Sequence, residues 1–190
     1  RTLSAVDSAV MVIDAAKGIE TQTLKLFEVC RRRGIPVFTF INKMDREVQA
    51  PLDLIDAIER TLHMSAVPFT WPVGMGRGFS GVFDLQRDRM RVFRSGSDRL
   101  DEDDEIIIGL DNPAIALRFG NSATELRQEI ELIRGASPEF VHAAFLAGRQ
   151  TPVFFGSAIN NFGVREVLDA LVGLAPSPRS RMARRTCCRS

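Results

Sequence analysis

Unbroken apolar runs alternate with amphipathic stretches over the first third of the chain. Residues 9–14, AVMVID, and 35–41, IPVFTFI, are continuous hydrophobic runs. That is the pattern of strands buried on both faces of a parallel sheet. Between them, residues 21–33 carry Leu24, Phe27 and Cys30 or Arg31 at helical spacing, and Gly34 sits at the stop position. Residues 51–63 open on Pro51 and stack Leu54, Ile58 and Leu62 at i, i+4 and i+8, which predicts a second helix. Strand, helix, strand, helix is the rhythm of an α/β fold with right-handed crossovers.

The rhythm then changes. Residues 66–74, AVPFTWPVG, read as an extended stretch interrupted by prolines, and GMGRGFSG, residues 74–81, as a flexible link. GVFDL and MRVFR, residues 81–85 and 90–94, flank QRDR as a hairpin. The acidic run DEDDE, residues 101–105, reads as a solvated segment. Leu126, Ile130 and Ile133 define an amphipathic helix over 123–134, and Pro138 opens another that runs to about Leu146. The first rhythm returns with TPVFFG, residues 151–156, a third buried strand. A closing helix over 164–174 follows, with Val164, Val167, Leu168 and Leu171 inward. Residues 1–65 and 151–177 are therefore expected to form one α/β unit, with 66–150 inserted as an α+β subdomain. Residues 178–190 hold five arginines and two adjacent cysteines in thirteen positions. They have almost nothing to bury, so disorder is expected there.

Composition narrows the class. The chain is 45% hydrophobic and 26% charged with a formal net charge of +1. That balance gives no global field for nucleic acid or membrane, and no apolar run approaches a membrane span. Neither DNA nor membrane is expected as a partner. The three cysteines make no disulfide framework and no metal-ligand spacing, as in a reduced cytoplasmic protein. His63 and His142 read as surface or capping residues.

The second apolar run stops abruptly on Asn42-Lys43-Met44-Asp45. In open α/β sheets, ligands sit at the carboxyl ends of the parallel strands, where these residues fall. Guanine presents two adjacent donors, N1–H and the 2-amino group, and the one carboxylate of Asp45 suits both. Adenine lacks both and would leave that carboxylate unpaired, at a cost of about 1–3 kcal/mol or more. Lys43 could lay its methylene stem on the base face, Asn42 could bridge the base edge and neighbouring loops, and Met44 would point into the core. A second small-residue loop, Gly156-Ser157-Ala158, follows the third strand at the same sheet edge. The Ala158 N–H is expected to donate to guanine O6, and Ser157 to brace Asp45. Asn160 and Asn161 read as turn residues.

A phosphate cradle needs Gly-x-x-x-x-Gly-Lys-Ser/Thr opening a helix, and no such stretch occurs in this sequence. Asp14 reads as a strand end followed by a turn. No catalytic residue and no metal ligand is assigned.

VMVIDAAKGIETQT, FTFINKMDRE and VFFGSAINNFGV…LAPSP resemble, in order, the guanine-side motifs of the translational GTPases. VPFTWPVGMGRGFSGVFDL and ELIRGASPEF…FLAGRQTPVFFGSA are most similar to the bacterial branch of that family that acts in termination. The resemblance covers about residues 1–178. It implies a partial P-loop-GTPase-type parallel sheet with an inserted subdomain, GTP or GDP as ligand, and Mg²⁺ only in the intact family member. Asn42, Lys43, Asp45, Ser157 and Ala158 become the guanine-specificity residues. The phosphate loop and catalytic segment are expected upstream of Arg1, so this piece is not expected to hydrolyse GTP alone. The ribosome, and class-one release factors recycled from it, are the implied partners in the cytoplasm. An elongation-factor-G-like translocase and a non-enzymatic ribosome-docking module are the alternatives.

Overall fold

The computed structural model describes residues 6–93, 105–120 and 122–177. Two four-stranded sheets form its frame. The first contains β1 (Ala9–Asp14), β2 (Val37–Asn42), β3 (Ser65–Pro68) and β8 (Gln150–Phe155), in the order β1-β2-β8-β3, all parallel. The second is antiparallel, in sequential order: β4 (Thr70–Val73), β5 (Gly81–Asp84), β6 (Arg89–Val92) and β7 (Glu105–Ile108).

Helices α1 (Thr21–Arg32) and α2 (Pro51–Leu62) follow β1 and β2. Each buries the stripe its spacing predicts: Phe27 and Cys30 on α1, and Leu54, Ile55, Ile58 and Leu62 on α2. His63 ends α2 in the left-handed region, and the His142 ring bonds the carbonyl of Leu174, so both histidines terminate or tether helices. Helices α3 (Pro113–Phe119) and α4 (Ser122–Ala136) accompany the antiparallel sheet. α5 (His142–Leu146) precedes β8, and α6 (Val164–Leu174) closes the described chain.

The sequence pattern puts β3 at the start of the inserted block, yet it pairs with β8 in the parallel sheet. The chain leaves β3 through Phe69, whose N–H donates to Val153 O, and continues directly into β4. Thr70 Oγ1 accepts the N–H of Phe155, and the Trp71 and Phe155 rings meet edge to face at 5.5 Å. One apolar cluster therefore runs from Met11 and Ile13 through Trp71 to Ile130 and Ile133 without a break between the sheets. A second cluster, with Phe38, Phe40, Phe69 and Phe154, lies on the opposite face under α5 and α6.

Four expectations are corrected. β1 is an outer strand with one open face, so Val12 is 51% exposed although Met11 and Ile13 are buried. On α6 Val167 is buried and Val164 and Leu171 pack against the core as expected, but Leu168 is 45% exposed and Glu166 is buried in its place. The glycine-rich link forms a 3₁₀ turn at Gly76–Gly78, and Gly76 N–H donates to Met44 O. β7 and α3 are elements that the pattern of apolar positions does not predict. The basic tail and most of the acidic run lie outside the described residues.

Candidate functional site

The order β1-β2-β8-β3 sets the ends of β2 and β8 side by side, with Ile41 paired to Phe155. The polar stop after β2 and the small-residue loop after β8 therefore meet at one edge. Backbone bonds stitch them together: Gly156 N–H donates to Ile41 O at 2.9 Å, and Met44 N–H to Gly156 O at 3.0 Å. Met44 is fully buried, as the sequence implies. A Cβ on Gly156 would collide with the Phe162 carbonyl and lie 2.8 Å from the Phe40 ring, so only glycine fits where the loops cross.

Asn42 performs the bridging. Its Oδ1 accepts the N–H groups of Lys43 and Ala158, each at 2.8 Å. The Ala158 N–H expected to face a ligand carbonyl is thus engaged by Asn42. Ser157 is buried, exchanges backbone bonds with Phe162, and its Oγ accepts from Asn160 Nδ2. Among the described residues no bond joins Ser157 to Asp45. Asn161 takes φ 58°, as befits a turn.

Lys43 adopts φ 71°, uncommon for a residue with a side chain. Its Nζ lies 2.6 Å from Asp14 Oδ2. Asp14 Oδ1 accepts the Ala16 N–H at 2.9 Å. The hydrogen bond from Lys43 holds the Asp14 carboxyl below the usual carboxylate range, against an opposing effect of partial burial. Asp14 is the residue that sequence reasoning passed over. The signal was its position at the end of a neighbouring strand, opposite Asn42 in register.

Asp45 is the unsatisfied member. Its Oδ1 is sealed from solvent and accepts no hydrogen bond. A buried carboxylate oxygen without a donor is costly, so native structures rarely leave one without a reason. The edge thus holds a lysine stem pinned at both ends, two loops tied by an amide, and one carboxylate oxygen lacking a donor. Among the described residues, no group of three or more His, Cys, Asp or Glu side chains could hold a metal ion.

The Elongation factor Tu GTP binding domain family matches residues 1–177. The chain belongs to this GTP-binding domain family. It is 65% identical over 183 residues to a protein named Peptide chain release factor 3 from Bordetella avium (strain 197N). The proteins of the same name from Bordetella petrii and Nitrosomonas europaea are 66% and 64% identical. Each match takes in 96% of this chain and 34% of the relative, so the chain spans about a third of their length. A crystal structure of a Thermus thermophilus protein superposes with a TM-score of 0.67 over 93% of this chain and 27% of that one. At 21% identity that likeness concerns the fold, which is mixed α/β with one parallel and one antiparallel sheet.

Proposed function

We propose that this chain carries the guanine-recognition half of a GTP/GDP site in a ribosome-dependent GTPase of translation termination. The observation that carries the reading is the buried, donorless Asp45 Oδ1 at the shared end of β2 and β8. The N1–H and 2-amino group of guanine are the donors it lacks. Lys43, its ammonium held at Asp14, offers its methylene stem to the base face. Asn42 keeps the Ser157-Ala158 loop against the base edge by holding the Ala158 N–H. Ser157 supports that loop from within the core. Exchange of guanine for adenine removes both donors to Asp45, and the selectivity follows from the unpaired carboxylate.

In this reading the guanine-binding part takes in residues 1–68, with β3 in its parallel sheet, and 151–177, and the inserted subdomain begins beyond Pro68. Phosphate cradling, Mg²⁺ and hydrolysis are assigned to no residue of this chain. The ribosome and class-one release factors are the proposed partners of the whole protein, in the cytoplasm. The name shared by relatives about 65% identical favours termination over an elongation-factor-G-like translocation role. Among the described residues no helix is long and apolar enough to cross a membrane.

Calorimetry of the full chain with GDP and ADP tests the site. Weak binding of GDP without detectable ADP binding is expected, and equal affinity for the two would refute guanine recognition. Tight, magnesium-dependent GDP binding would refute the half-site assignment.

A further inference from the structure

The loop that carries Asp45 is held from outside its own sheet. Met44, the residue before it, is fixed at three points. Its side chain is fully buried, its N–H donates to Gly156 O, and its carbonyl accepts the N–H of Gly76 at 2.8 Å. The first two holds belong to the α/β unit. The third comes from the 3₁₀ turn of the inserted block. Asp45 Oδ1 itself accepts no hydrogen bond, so its position follows from the backbone that carries it.

The turn is firmly seated. Ser80 closes its base, with both its N–H and its Oγ donating to Val73 O. Phe79 is buried and meets Phe93 edge to face at 5.5 Å. Phe93, just past β6, stacks on Phe162 at 4.1 Å with the ring planes 7° apart. The Phe162 carbonyl in turn accepts the Ser157 N–H. The inserted block therefore reaches both loops at the nucleotide edge, one through a backbone bond and the other through an aromatic stack.

We propose that Gly76 is a positioning residue for guanine binding: its N–H, through Met44, sets where Asp45 presents its carboxylate. This rests on the guanine reading given above. Hydrogen bonds weaken steeply with distance and angle, so a displaced Met44-Asp45 backbone loses affinity for the donors of the base. The inserted subdomain is then part of the nucleotide site, and a shift of its turn changes guanine affinity. Gly76 adopts φ 59°. A β-branched residue is an outlier in that region, whereas asparagine is tolerated. Room is not the obstacle, because an added Cβ lies 3.5 Å from Arg46 O, an ordinary contact distance. Valine thus disturbs the turn through its backbone preference, and asparagine is the conservative replacement.

The test compares Gly76→Val and Gly76→Asn in the full chain, by calorimetry with GDP and by amide hydrogen exchange of the unliganded protein. Gly76→Val should weaken GDP binding by about fivefold or more, the left-handed penalty expressed as affinity. The Met44 N–H should exchange faster, while the N–H groups of Phe40 and Val153 within the parallel sheet keep their rates. Gly76→Asn should stay within about twofold of wild type on both readouts. Equal affinity of the wild type for GDP and ADP would sink the guanine reading and this proposal with it. With that selectivity intact, three results overturn the proposal alone. They are unchanged GDP affinity in Gly76→Val, a Met44 rate that rises only together with those of Phe40 and Val153, and an asparagine variant as weak as the valine one.

Discussion

The side-chain oxygen of Asn42 holds the backbone N–H of Ala158 at 2.8 Å, joining two loops 116 residues apart in sequence. The same oxygen holds Lys43 N–H, so one acceptor sets the geometry of both loops. Asn42→Ala removes it. The loss should be about 1 kcal/mol of stability, because the exposed Ala158 N–H recovers part of its bond from water. Asn42→Asp keeps an oxygen in place and should retain most of that stability. Urea denaturation of both variants, together with amide exchange at Ala158, checks this. Fast exchange in the alanine variant and slow exchange in the aspartate variant are expected.

Asp45 gives the sharpest test of base recognition. An asparagine there presents an amide N–H where the carboxylate oxygen stood. Guanine's 2-amino group then meets a donor, while the 2-carbonyl of xanthine meets one it can use. Asp45→Asn should weaken GDP binding by tenfold or more and favour xanthosine diphosphate, following the cost of about 1–3 kcal/mol for a mismatched buried group. Competition calorimetry reads the switch directly. A ribosome-docking module without a base site would show no change.

Asp14 makes the protein pH-sensitive in a defined window. Its carboxyl is held below the ordinary range in the folded state, chiefly by the Lys43 hydrogen bond. The unfolded chain therefore takes up the proton first as pH falls. The contribution of the pair is complete above the ordinary aspartate value of about 3.9 and is lost progressively below it. Asp14→Asn should lower stability at neutral pH and lose less than wild type between neutral and strongly acidic pH. Denaturation midpoints across that range test the sign. An unchanged pH slope in the variant would remove Asp14 from the account.

How much of this was legible in the sequence depended on whether the cause was local. β1 and α6 were bounded correctly because an unbroken apolar run and a 3.6-residue stripe end at polar or glycine stops. The site loops were visible for the same reason, as polar endings on buried strands. β7 was not, because a four-residue strand is held by pairing with β6 more than by its own pattern. Asp14 and Lys43 are 29 residues apart and meet only through strand register. Glu166 reads as a solvent-facing residue of a helix until Arg91, 75 residues earlier, comes to lie against it.

That pair connects α6 to β6 out of water, with Nε and Oε1 2.6 Å apart. Removing one member leaves a buried charge uncompensated. Arg91→Met should therefore cost about 3–5 kcal/mol, whereas the double change Arg91→Met with Glu166→Leu should recover most of it. Chemical denaturation of the single and double variants measures the difference. Additive losses would show that the two charges act independently.

The glycines allow the same chemical change to be tried with opposite signs. At Gly156 an added methyl collides with the Phe162 carbonyl and with the Phe40 ring, and neither can retreat without moving the loop or the core. Gly156→Ala should destabilise the fold by about 1–3 kcal/mol, the usual range for overpacking. It should also weaken GDP binding, because Met44 N–H hangs on the Gly156 carbonyl. At Gly135, in α4, a Cβ meets nothing within 4 Å. Gly135→Ala should leave nucleotide binding alone and stabilise the helix by about 0.5–1 kcal/mol through the lower backbone entropy of the unfolded chain. Thermal denaturation with and without GDP separates the two. If both substitutions shifted the midpoint in the same direction, the close crossing of the two loops at Gly156 would not be what requires glycine there.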